Sequence, residues 1–181
     1  MAKSKTEESR GSSSNQDLST QLWKKVWHVK GTPVVRVFLW KACSNILPIK
    51  INLNKRGIVE DSLCPICKQE DESVEHILWI CESARDVWAE CSSKLQKCAT
   101  IEVTSASLFM LLSDRLDADE MQKVTVVTRL IWLQRNSVVF GGDFMSPKNI
   151  LETASSQLDN FSKAEVGRRM SSTVRPVPEV V

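Results

Sequence analysis

The sequence predicts an all-α fold: a small helical domain organised around one structural Cys3His zinc site, with disordered termini. Two observations carry this. Between polar ends, apolar residues recur at three- and four-residue spacing, the period of an amphipathic helix. In the middle of the chain, Cys64, Cys67, His76 and Cys81 stand at zinc-ligand spacing, Cys-x2-Cys-x8-His-x4-Cys.

The first 17 residues are rich in Ser, Lys and Glu and hold almost nothing apolar, so a disordered leader is expected over 1–17. Leu22, Trp23, Val26 and Trp27 form one face of a short helix that ends before Gly31. Pro33 opens a second helix, because proline is tolerated in a first turn. Its stripe of Val34, Val35, Phe38, Leu39, Ala42, Cys43 and Ile46 is wide and is expected to be largely buried. After Pro48 a short helix carrying Ile51 and Leu53 should stop at Gly57. Ser73 is a candidate N-cap for a helix with Val74, Ile77 and Leu78 on its apolar face. Ala84, Val87, Trp88, Cys91 and Leu95 mark the next helix, and a weaker helical segment covers Ser107 to Leu112. A long run follows from Asp119 to Phe140, with Met121, Val124, Val127, Leu130, Ile131 and Leu133 at apolar positions. Val124 to Val127 and Val138 to Phe140 are β-branched enough to keep strand open there. Pro147 starts a last helix reaching about Lys163, and residues 169–181 should form a disordered tail. The organisation expected is a metal-binding domain over 18–98 and a helical extension over 99–168.

Three thiolates and one imidazole complete a tetrahedral zinc and leave no position for water, which points to scaffolding and away from catalysis. The Cys64-Pro65-Ile66-Cys67 turn sets two thiolates on one knuckle, where backbone N–H groups can donate to sulfur. His76 and Cys81 can share a helix face or straddle its end. Such a clip can supply about 10 kcal/mol of folding free energy. Iron–sulfur is a poorer fit, since those clusters prefer four thiolates. Cys43 and Cys91 read as core thiols, and Cys98 has no histidine nearby. His28 reads as a packed or exposed histidine. The acidic run Glu70, Asp71, Glu72 reads as a solvated loop. No hydrolase triad, glycine-rich phosphate loop or metal-spaced carboxylate set is present, so a non-enzymatic protein is expected.

Charge is nearly balanced, with 24 basic and 22 acidic residues, which argues against an overall polyanion binder but allows a local patch. No apolar stretch approaches the roughly 18–20 residues of a membrane span. The N-terminus lacks the apolar core of a signal peptide. An intracellular setting, cytoplasm or nucleus, is expected, where cysteines serve as metal ligands or buried thiols and not as disulfides. Charge is uneven along the chain. From Leu22 to Glu60 stand eight Lys/Arg and one Glu; from Asp61 to Leu95, three Lys/Arg and eight Asp/Glu. Lys24, Lys25, Lys30, Arg36, Lys41, Lys50, Lys55 and Arg56 could form a nucleic-acid surface, with Trp23 or Trp27 for stacking. They could equally be the solvated faces of amphipathic helices. The residues alone leave both open.

The order Trp27, Pro33, Phe38-Leu39-Trp40, Leu47-Pro48, Leu53, Arg56-Gly57, Cys64-Pro65-Ile66-Cys67, Glu72 to Leu78, Cys81 and Ala84 to Trp88 resembles a known family. It is similar to the zinc-binding domain that follows the reverse transcriptase in plant non-LTR (LINE-type) retroelements. The resemblance covers about residues 21 to 95 and includes all four presumed ligands. The later IWLQRNSVVF resembles the helix that follows in that family. The resemblance implies one structural zinc, a place between polymerase and RNase H-like domains, and a role in holding the element's RNA or target DNA. It also implies that this chain is a fragment or relic of a larger polyprotein. A protein-interaction module that docked the polymerase or RNase H domain is the alternative.

Overall fold

The computed structural model describes residues 8–91 and 104–173, with side chains over 18–91 and 104–168. The described residues are helical, with one isolated antiparallel bridge, Leu63 to Asp71, and no strand. The elements are α1 (Glu8–His28), α2 (Pro33–Cys43), α3 (Lys50–Asn54), a π-helical turn (His76–Ile80), α4 (Glu82–Ala89), α5 (Ser105–Arg115), α6 (Ala118–Val139) and α7 (Pro147–Thr173). The expected all-α class is what the chain adopts. No helix among the described residues is long and apolar enough to cross a membrane.

Local chemistry explains most boundaries. Pro33 is the first residue of α2, where its missing N–H costs nothing. The chain leaves α3 through Gly57 at φ 68, a left-handed conformation that glycine adopts without a Cβ penalty. Its N–H bonds the Asn54 carbonyl at 2.8 Å. Thr104 caps α5 by accepting from the Ser107 N–H. α6 opens with a capping box: the Asp117 carboxylate takes the Asp119 and Glu120 N–H groups, and Glu120 reaches back to the Asp117 N–H. That start, and burial on several sides, makes Val124 to Val127 helical although β-branched residues crowd it.

Two helices run past their expected ends. α1 begins at Glu8, inside the stretch expected to be a disordered leader; residues 1–7 lie outside the described residues. Once the Leu22 to Val29 face is packed, each added N-terminal residue gains a backbone hydrogen bond without a new nucleation cost. α7 likewise continues beyond Lys163 to Thr173, there being no proline before Pro176. Leu95 and Cys98, and the tail from 174 onward, fall outside the described residues.

One contiguous core runs through the chain. It joins Leu22 and Val26 of α1, Val35, Phe38 and Leu39 of α2, Ile77 and Leu78 of the π turn, Val87 and Trp88 of α4, Leu112 of α5, Val127 and Ile131 of α6, and Ile150 and Ala154 of α7. α6 lies at its centre, packed on α2, α7 and the π turn. The α2 stripe is narrower than expected. Val35, Phe38, Leu39 and Ala42 are buried, but Val34 is 57% exposed because it lies beside that face, and Ile46 is 40% exposed because the helix has ended at Cys43. Leu133 similarly turns outward from α6.

Candidate metal centre

The knuckle is shaped by its own backbone. The Cys64 N–H bonds the Glu70 carbonyl at 2.7 Å, the Glu72 N–H bonds the Ser62 carbonyl at 2.7 Å, and the Lys68 N–H closes on Cys64 at 2.9 Å. Lys68 sits at φ 56, an uncommon left-handed position for a side-chain-bearing residue, and so turns the chain sharply after Cys67. The Ile66 and Cys67 N–H groups donate to the Cys64 sulfur, as the sequence led one to expect.

The other two ligands come from the far side of the loop. Ser73 acts as the expected cap, its Oγ accepting the His76 N–H at 2.9 Å. The turn that follows is π-helical, and the Cys81 N–H bonds the His76 carbonyl at 2.7 Å. This widening has a geometric reason. In an α-helix, residues five apart point about 140° away from each other. The wider π turn brings His76 and Cys81 towards one side, as π bulges commonly do at functional sites. Trp79 and Trp88 fix the arrangement by stacking at 4.4 Å, and the Trp88 indole donates to the Leu78 carbonyl at 2.9 Å.

The four candidate ligand atoms all lie within 4.8 Å of one another. Cys64 and Cys81 sulfurs are 4.0 Å apart, and Cys67 Sγ is 3.3 Å from His76 Nε2. Tetrahedral zinc with sulfur at about 2.3 Å spaces two thiolates by about 3.7 Å, so the set fits the ion. Cys64, His76 and Cys81 are buried and Cys67 is half-buried. His76 Nδ1 faces the Glu70 carboxylate at 3.2 Å, which fixes the ring and leaves Nε2 for metal. Without an ion these groups compete for protons. His76 is pushed up to about 9, first by its hydrogen bond to Cys64, and Cys64 is pushed down to about 3, first by its bond to Cys81. Cys81 moves up by that same bond and by burial. Zinc would replace the shared protons with one cation.

The acidic run is a solvated loop only in part: Glu70 and Asp71 are exposed, but Glu72 is buried, and the expectation is corrected there. Glu70 orients His76. Asp71 accepts the Ser62 hydroxyl at 2.5 Å. Glu72 is fully buried and takes two bonds from Arg135 in α6, Nε to Oε1 and Nη2 to Oε2, each 2.6 Å. The Lys50 N–H is its third donor, also at 2.6 Å. A bidentate guanidinium plus a backbone donor satisfies a carboxylate that burial would otherwise penalise heavily. Arg135 also lies over the Trp132 ring, 5.1 Å from its centroid.

The remaining residues singled out in the sequence divide. The five described cysteines are free thiols. Cys43 and Cys91 pack against the core, and burial pushes Cys43 up to about 12. His28 is exposed, with Nδ1 on the Lys24 carbonyl at 2.7 Å. Of the eight basic residues, Lys25 pairs with Asp114, Lys30 with Asp119 at 3.0 Å and Lys50 with Asp61 at 2.6 Å. Arg36 donates to the Trp27 carbonyl at 3.3 Å. Lys24, Lys41, Lys55 and Arg56 are exposed and make no ion pair among the described residues. Trp23 packs half-buried against the core, whereas Trp27 is 45% exposed.

Among known proteins, neither the curated sequences nor the solved structures contain a match to this chain. Residues 8–88 match the family model described as zinc-binding in reverse transcriptase. That match, over somewhat less than half of the chain, and the four converging candidate ligands make this segment similar to the zinc-binding domains of that family.

Proposed function

We propose that this domain is non-enzymatic, that it holds one structural zinc, and that it derives from a plant non-LTR retroelement protein in which it binds single-stranded RNA or DNA. The observation that carries the scaffolding role is the closed donor set. Four protein ligands converge from 18 residues, and a tetrahedral ion held by all of them has no position for substrate or water. The family match supports the origin in a reverse transcriptase. Nucleic-acid binding is supported by the cations that no carboxylate neutralises, Lys24, Lys41, Lys55 and Arg56. The test is a titration of zinc-loaded protein with labelled single-stranded oligonucleotides over a range of salt. Phosphate contacts release counterions, so about four contacts on a single strand give a log–log slope near −3. Undetectable binding at low salt would remove this reading.

A docking module is the second reading, favoured by the outward apolar face of α2. Val34, Val37 and Trp40 are 57%, 39% and 36% exposed. Such a face could meet the polymerase or RNase H domain of a related element. Binding of a separately expressed domain of either kind, lost on Val37→Asp, would favour it.

A further inference from the structure

A second cationic feature lies away from the zinc. An open cleft of about 920 Å³ runs between the α1–α2 elbow, α6 and α7. Its walls carry four fixed positive charges, Lys30 and Arg36 from the elbow, Arg129 from α6 and Arg168 from α7, against one carboxylate, Glu165. Lys30 is partly spent on Asp119. Arg129 is half-buried and makes no hydrogen bond or ion pair among the described residues. A guanidinium held in that way is poised for an external anion, because partial burial strengthens its field while no protein group neutralises it.

The rest of the lining is suited to nucleotides. Phe161 is half-buried in the wall of the cleft, next to the exposed amide of Asn160. Gln157 supplies a second amide one turn earlier on α7. A basic trough with an aromatic platform and neutral hydrogen-bonding groups is the combination that binds single strands, with charge tracking phosphates and the ring stacking on a base. An acidic peptide would use the cations but has no base to set on Phe161.

We propose that this cleft is a binding channel for single-stranded nucleic acid, with Arg129, Arg168 and Arg36 on phosphates and Phe161 beneath a base. This rests on the nucleic-acid reading above and gives it a location, between the α1–α2 elbow and the helices α6 and α7. Two of its cations, Arg129 and Arg168, lie outside the basic half of the sequence that first suggested such binding.

The experiment uses the full zinc-loaded chain and fluorescence anisotropy with labelled oligo-U and oligo-dT. Arg129→Ala/Arg168→Ala is compared with Arg85→Ala/Arg115→Ala, two exposed cations that do not line the cleft. The cleft variant should bind at least about tenfold more weakly and flatten the salt slope by about 1.4, the share of two phosphate contacts. The Arg85/Arg115 variant should stay close to the parent. The reverse pattern would overturn the channel and leave the general nucleic-acid reading standing, whereas no binding by the parent would remove both. Zinc content and helical signal check folding. Should the cleft variant misfold, Gln157→Lys adds a cation on the exposed face of α7, and must tighten binding and steepen the slope by about 0.7. Poly-glutamate of equal charge competing as well as the oligonucleotide, or Phe161→Leu leaving affinity unchanged, would also overturn the proposal. Oligo-U and oligo-dT separate RNA from DNA as the natural occupant.

Discussion

Replacing Arg135 with Met should destabilise the protein severely although Arg135 touches no metal ligand. The argument starts from Glu72, whose side chain is fully buried and whose two oxygens receive three short hydrogen bonds. Arg135→Met removes two of those bonds and the compensating charge, and leaves a buried carboxylate with only the Lys50 N–H. Breaking a buried pair on one side costs about 3–5 kcal/mol. For a chain of this size each kcal/mol moves the melting temperature by roughly 2–4 °C, so a drop of roughly 6–20 °C is expected. Glu72→Met should cost a similar amount, because it strands the guanidinium. The double substitution Glu72→Met/Arg135→Met removes both charges and takes a partner from only the Lys50 N–H and the half-buried Asn136 Oδ1, a loss of about 1–3 kcal/mol. The double variant should therefore be more stable than either single one. Guanidinium denaturation followed by circular dichroism, on zinc-loaded samples of measured metal content, reads all four corners of the cycle. Arg135→Met within about 0.5 kcal/mol of the parent, or a double variant as unstable as the summed singles, would refute the reasoning.

Elemental analysis should give one zinc per chain; Cys67→Ser should lower it, while Cys98→Ser should not. Glu70→Ala removes the carboxylate that orients His76, and competition with a chromophoric chelator should show zinc affinity falling by about 10–100-fold. Cys43, pushed up to about 12, should resist iodoacetamide at pH 8 in the native state and react once unfolded. Its folded value lies above the unfolded value of about 9, so its contribution to stability is complete below that pH and declines as pH rises towards 12. Primer-extension and RNA–DNA hybrid cleavage assays should detect no activity traceable to a carboxylate of this chain.

The convergence of Cys64, Cys67, His76 and Cys81 could be read because a clip of this kind is local: knuckle spacing, cap and histidine all fall within 18 residues. Ser73, Pro33 and Gly57 were legible for the same reason, each acting on its own backbone neighbours. The π turn was not, since a five-residue gap between ligands fits either a shared face or a broken helix until the hydrogen bonds are seen. Glu72 was misread because three adjacent acids look alike in sequence, and only one has a guanidinium waiting 63 residues away. A signal did exist at the other end. Val124, Thr128, Ile131 and Arg135 follow one another at helical spacing on the buried side of α6, and a charge on that stripe demands a buried partner. The early start of α1 had no comparable signal, for Ser-rich sequence is compatible with either state and the packed end of the helix decides.

The acidic half of the zinc segment changes meaning once its contacts are known. Eight Asp and Glu between Asp61 and Leu95 suggest a face that repels phosphate. Five of them have internal partners: Asp61 holds Lys50, Glu70 orients His76, Asp71 takes the Ser62 hydroxyl, Glu72 holds Arg135, and Glu75 accepts both the N–H and hydroxyl of Ser105. Glu82, Asp86 and Glu90 stand exposed at four-residue spacing along α4 and just past its end. Glu72 and Glu75 flank the Ser73 cap and tie it to α6 and to the first turn of α5, while Gln134 of α6 reaches Ser83 at 3.2 Å. The zinc segment is thus anchored to the C-terminal helices at both ends of its π turn. A metal-free knuckle would loosen the positions of Glu72 and Glu75, and through Arg135 and Ser105 the strain would reach α6 and α5. For that reason zinc removal should soften the C-terminal helices together with the knuckle. Hydrogen exchange on chelated protein should show α6 amides losing protection; an α6 that stays fully protected would mean that the two parts fold independently.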